Sequence, residues 1–146
     1  NSETGGGRII GEACHFIDLL RFLAGSRIIE YRIARLDQRV KDTATIQLVF
    51  ENGSIGSIHY FSNGNKAFSK ERLEVFCQNK ILQMDNFKRL KGYGWRKLRK
   101  MYSWKQNKGH FDGIGAFVKS VQLTENKTNS IPFEEIVEVM EVTLNL

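Results

Sequence analysis

Apolar residues recur three and four positions apart over 11–23, where Ala13, Phe16, Ile17, Leu20 and Leu23 share one face. That period predicts an amphipathic helix, stopped by Gly25 just past its end. From 28 onward the period changes to two. Ile29, Tyr31 and Ile33 alternate over 28–36, and Ala44, Ile46, Leu48 and Phe50 alternate with Thr45, Gln47 and Val49 over 43–50. Glu51-Asn52-Gly53-Ser54 is a hairpin turn, with 55–61 as the returning strand. A second hairpin is predicted from 71–77 and 81–84 around Gln78-Asn79-Lys80. The partly aromatic stretch 87–95 reads as a strand or a loop. Helical spacing returns over 111–123, with Ile114, Phe117, Val118 and Val121 on a face. After a polar loop at 126–130, Pro132 starts a last helix. Its predicted inner face is Ile136, Val137, Val139 and Met140, with Glu134, Glu135 and Glu138 outside.

Helix, hairpins, then helices is not an alternating β–α–β order. It predicts an α+β fold: an open, mostly antiparallel sheet with helices on one face. The 146 residues fit one domain, 1–146. No apolar run reaches the ~20 residues of a membrane helix, and no signal-peptide pattern is present. The start, Asn1-Ser2-Glu3-Thr4, lacks an initiator methionine and reads as a piece of a longer protein. The two cysteines are far apart, which suggests a reducing, cytoplasmic setting, with Cys14 a buried inert thiol. No CxxC pair occurs, and no metal site is expected.

The net charge of +6 is unevenly spread. From Asn86 to Lys108 there are nine lysines or arginines and no acid, whereas Val121 to Leu146 has five glutamates and one lysine. Tyr93, Trp95, Tyr102 and Trp104 are interleaved with those cations. This segment suits a nucleic acid, a nucleotide-bearing substrate, or a solvated loop with its aromatics packed on the sheet. The first of these is disfavoured, because no nucleic-acid motif accompanies it.

Candidate chemistry concentrates near the start. Gly5-Gly6-Gly7 has neither GxGxxG spacing nor the Lys-Ser/Thr of a phosphate loop, and reads as a flexible entry to the helix. Glu12, His15 and Asp18 are three apart and line one stripe beside the apolar face. A carboxylate beside an imidazole suits general acid–base work, or equally a structural histidine. The same three match no named metal-ligand motif. "HYFSNGNK" ends a strand with Asn63, Asn65 and Lys66, either as binding groups or as a polar turn.

"GGGRIIGEACHFIDLLRFLAG" resembles the opening of the second domain of the Gfo/Idh/MocA oxidoreductases, which carries a GGG-x-L-x-D-x-G-x-H-x-x-D-like motif. Gly5-Gly6-Gly7, His15 and Asp18 match it. "NGSIGSIHYFSNGNKAFSKERLEVFCQNKILQMDNFKRLKGYG", "QNKGH" (ending at His110) and "IPFEEIVEV" extend the resemblance to the bi-domain members. Those are fused to a zinc-alcohol-dehydrogenase-like half and are often linked to surface polysaccharides. The resemblance implies a substrate-binding and dimerisation domain of an NAD(P)-dependent oxidoreductase acting on a sugar or nucleotide sugar. His15 matches the family's catalytic histidine. Glu12, Asp18, Asn63, Asn65, Lys66 and His110 are the implied substrate-side residues. NAD or NADP would sit on a Rossmann domain that also carries a Glu-Lys-Pro lysine, a tripeptide absent from this chain. This domain alone would hold no cofactor and be inactive, and it would form a homo-oligomer through its open sheet face. There is one departure. The family's aspartate four residues before the histidine is Gly11 here, and Glu12, about 100° away on a helix, or Asp18 takes its place, or the proton relay differs. The competing class is a non-catalytic, sheet-mediated dimerisation or binding module.

Overall fold

The computed structural model describes residues 7–37, 40–122 and 131–146. Leu123, the loop at 126–130, and Gly5 and Gly6 of the glycine entry lie outside them. The fold is α+β, with antiparallel pairing throughout the described strands. The chain divides into two compact units: Asn1–Gly64 with Ile131–Leu146, and Asn65–Ser130.

The first unit has a three-stranded sheet in the order β1 (Ile28–Asp37), β2 (Val40–Phe50), β3 (Ile55–Phe61). Helix α1 (Cys14–Ala24) follows a π-helical turn over Ile9–Ala13. The central strand supplies the core: Ala44, Ile46, Leu48 and Phe50 are buried on the same side, as period-two alternation requires. They meet Ile9, Ala13 and Ile17 from the first helical segment and Val139 and Val142 from the last helix. Each fully buried Ile, Leu or Phe contributes about 1.5–3 kcal/mol. Gly56 of β3 lets Leu20 lie close: a Cβ there would stand 2.8 Å from Leu20 Cδ1.

Gly25 ends α1 in the left-handed region at φ 58°, its N–H donating to the Arg21 carbonyl at 3.0 Å. Gly25→Ala is expected to lower stability by about 1 kcal/mol, seen as a lower urea midpoint at unchanged slope.

Four expectations shift. Cys14 is half-buried, not buried. Leu23 is exposed, and its expected place on the inner face is taken by Arg21. Ile29 points outward, because it is the extra residue of a bulge. The register steps from Ile28↔Phe50 to Glu30↔Val49, so Ile28 packs on the core instead. The last helix, which we number α3 (Phe133–Asn145), is rotated from its predicted orientation. It buries Val139, Val142 and Thr143, leaves Ile136, Val137 and Met140 exposed, and turns Glu138 inward. The physical reason is Arg21. This buried guanidinium lies 3.2 Å from Glu138 and 3.7 Å from Glu135, and Glu138 also accepts the Ile28 N–H at 2.5 Å.

The second unit has a four-stranded sheet, β4 (Arg72–Cys77), β5 (Lys80–Asp85), β6 (Arg89–Tyr93) and β7 (Lys100–Tyr102), paired in sequence order. The β4–β5 turn is two residues, Gln78 and Asn79, both with positive φ, the geometry that matches strand twist. Within 87–95 the strand alternative holds, as β6. β7 has no counterpart in the sequence-based reading. Helix α2 (His110–Gln122) has no buried residue, and its apolar face of Phe111, Ile114, Phe117 and Val121 is exposed.

Candidate functional site

The site is built from the turn that introduces α1. A π-helical turn widens the backbone ring, and such turns recur at functional positions. It carries Glu12. The Glu12 carboxylate accepts the Tyr60 hydroxyl at 2.6 Å through Oε2, and Arg8 Nε and Nη2 at 3.3 and 3.2 Å through Oε1. The Arg8 N–H in turn donates to Asp42 Oδ1 at 3.0 Å. Tyr60 comes from β3 and Asp42 from β2. Glu12 is therefore a charge-balanced anchor that ties the helix entry to the sheet. Tyr60 and Asp42 were absent from the sequence-derived set, since contacts spanning 48 and 34 residues leave no local pattern; Arg8 was missed although its i,i+4 spacing to Glu12 is a local signal.

His15 stands in the first turn of α1, exposed and without a hydrogen-bond partner among the described residues. Asp18, one turn on, is half-buried and likewise without such a partner. The stripe of three thus separates: Glu12 bonds to Tyr60 and Arg8, while His15 faces outward with an imidazole able to take or give a proton. A Cβ at Gly11 would meet no atom within 4 Å, so the position has room for a longer side chain.

The remaining residues lie elsewhere. Asn63 is exposed in the first unit. Asn65, Lys66 and His110 belong to the second. Asn65 has a turn role, its Oδ1 accepting the Ala67 N–H at 2.9 Å. Lys66 is exposed, and His110 opens α2, also exposed. His59 bonds through Nδ1 to Thr45 Oγ1 at 3.1 Å and stacks near Phe61. Among the described residues no three His, Cys, Asp or Glu side chains converge as metal ligands, and no helix is long and apolar enough to cross a membrane. The described residues also do not fit a dinucleotide. Their strands pair antiparallel, whereas a pyrophosphate cradle needs a parallel β–α–β unit opening on a helix N-terminus.

Burial, and then the hydrogen bond donated to Glu12, push the Tyr60 phenol up from 10.0 to about 12. Between those values the unfolded chain releases this proton and the folded chain keeps it, so stability falls as pH rises through the window. Tyr60→Phe is expected to flatten the melting temperature against pH between about 10 and 12. At neutral pH it should cost about 1 kcal/mol for the lost hydrogen bond.

Comparisons with known proteins follow the same line. No curated protein sequence matches the chain. UDP-N-acetylglucosamine 3-dehydrogenase GnnA from Acidithiobacillus ferrooxidans superposes with a TM-score of 0.68 at 17% identity, over 90% of this chain and 43% of that one. A protein from Thermotoga maritima classed as an oxidoreductase gives 0.70 at 17% identity, over 99% of this chain and 45% of that one. At such identity the likeness is one of fold, and the chain spans under half the length of these relatives. The family model of the GFO/IDH/MocA C-terminal domain matches residues 1–83. With more than half of its length inside that model, the chain belongs to the Gfo/Idh/MocA oxidoreductase family, as a C-terminal domain.

Proposed function

We propose that the chain is the substrate-side and dimerisation domain of an NAD(P)-dependent oxidoreductase that acts on a sugar or nucleotide sugar. The observation that carries this reading is His15. It matches the family's catalytic histidine and is displayed, unpaired among the described residues, on the first turn of α1. In this role its imidazole takes the proton of the sugar hydroxyl that is oxidised. Asp18 lies one turn away on the same helix, where it can orient a second hydroxyl, and Asn63 offers an amide to the sugar. Glu12 supports the site from behind: bonded to Tyr60 and Arg8, it holds the helix entry in place. Asn65, Lys66 and His110 are substrate-side residues only in the sense that the family resemblance implies.

The nicotinamide belongs to a Rossmann domain upstream, with the Glu-Lys-Pro lysine, and in a bi-domain protein a zinc-alcohol-dehydrogenase-like half lies beyond it. A role in surface-polysaccharide synthesis is part of the same reading. Free Cys14 and Cys77 support a cytoplasmic setting. Ile55 and Phe61, exposed on the strand that edges the three-stranded sheet, support assembly with a second copy. The test is substrate turnover by the full-length protein with nucleotide sugars and NAD or NADP, compared with its His15 variant. Absence of nicotinamide-dependent turnover with every sugar class would remove the reading.

A further inference from the structure

The second unit carries a concavity of about 410 Å³ on one face of its four-stranded sheet, within the size range of small-molecule sites. Register explains its composition. Arg72, Asp85 and Arg89 are cross-strand neighbours, and in the next row Glu74, Gln83, Lys91 and Lys100 follow on the same face, where Gln83 Nε2 donates to Glu74. Arg72, Arg89, Lys91 and Lys100 all line the cavity. Lys91 and Lys100 face each other directly on adjacent strands, an arrangement that destabilises a sheet. Arg72 has Glu74 at 3.5 Å, but Arg89, Lys91 and Lys100 have no ion pair among the described residues. Asp85 sits in the same wall with Oδ1 buried and unpartnered among the described residues, a costly state unless a donor arrives. Phe68, exposed at the rim, carries the Arg72 guanidinium over one face of its ring at 5.6 Å, which leaves the other face to a ligand.

We propose that this cavity is a diphosphate site, in which Arg89, Lys91 and Lys100, with Arg72, bind the two phosphates of a nucleoside diphosphate group. An anion between Lys91 and Lys100 removes their repulsion, and guanidinium groups match phosphate oxygens two at a time. Asp85 Oδ1 accepts a ligand hydroxyl or N–H, and the Phe68 ring takes the base. A single-stranded nucleic acid fits less well: it needs a groove that tracks a backbone, whereas these cations converge on one concavity. The proposal rests on the reading above only in the choice of a nucleotide-linked ligand; the site itself stands on the second unit's own residues.

Titration calorimetry of the full-length protein with UDP as probe, at low ionic strength, tests it. Lys91→Gln and Lys100→Gln are each expected to weaken UDP binding about tenfold, the value of one charge-assisted contact, without lowering the melting temperature. Lys97→Gln and Lys105→Gln, cations of the same segment outside the cavity, are expected to leave it unchanged. No UDP binding at millimolar concentration overturns the proposal, and so does equal weakening by all four variants. Tighter binding of a single-stranded oligonucleotide than of UDP, falling steeply with salt, also overturns it. Sugar turnover without UDP binding at these lysines removes the site and spares the dehydrogenase reading. UDP binding at these lysines without sugar turnover does the reverse.

Discussion

Replacing His15 by alanine in the full-length protein is expected to lower kcat/KM by about 10²- to 10⁴-fold, the contribution of a positioned acid–base group. The loss should fall mainly on kcat if the imidazole has the proposed role of moving a proton and holds little of the substrate. Folding should be unaffected. His15 is exposed on a helix, its side chain makes no hydrogen bond among the described residues, and alanine is the better helix former. The two readouts separate a catalytic His15 from one that only holds the fold. A variant with unchanged melting temperature and unchanged kcat/KM would remove the catalytic assignment of His15.

Glu138→Ala is expected to lower stability by about 3–5 kcal/mol, the range for breaking a buried pair from one side. It leaves the Arg21 guanidinium, whose side chain is only 9% exposed, with Glu135 alone at 3.7 Å. It also strips the Ile28 N–H of its acceptor. The double change Arg21→Met with Glu138→Leu should cost much less than either charge-stranding single change, because it removes both desolvated charges together. Urea unfolding of the four-protein cycle gives the coupling. Additive effects would show that α1 and α3 are held by apolar packing alone.

The same ion pair marks the limit of what the chain's pattern discloses. β2 was legible because its buried residues follow strict alternation, and Gly25 because a helix stop has a local chemical signature. The orientation of α3 was not. Its apolar residues occupy more than one face, and what selects among them is the counter-charge for Arg21, 117 positions away. Ile29 was misplaced for a related reason: a bulge inserts one residue and leaves the composition of the strand unchanged. β7 is three residues set among cations, too short for a period to emerge. In the site, the exposure of His15 followed from its place on the edge of an amphipathic helix. The bond from Tyr60 to Glu12 did not, because Tyr60 reaches it through strand register and not through spacing, whereas Arg8, four residues before Glu12, had a readable spacing. Nor does local pattern show that the strands divide into two sheets, since hairpin after hairpin looks alike in either arrangement.

The discontinuity of the first unit bears on how the protein is born. A ribosome delivers the chain from its N-terminal end, and local hairpins close far faster than contacts between distant segments. The second unit is one continuous stretch built of successive hairpins, so it can mature while synthesis is under way. The first unit begins earlier but must wait. Ile17 and Ile46 lack Val139 and Val142, and Arg21 lacks its acids, until α3 has cleared the exit tunnel. During that interval a half-built apolar layer and a stranded guanidinium remain open to solvent, so synthesis halted before α3 leaves the first unit without the elements that complete its core.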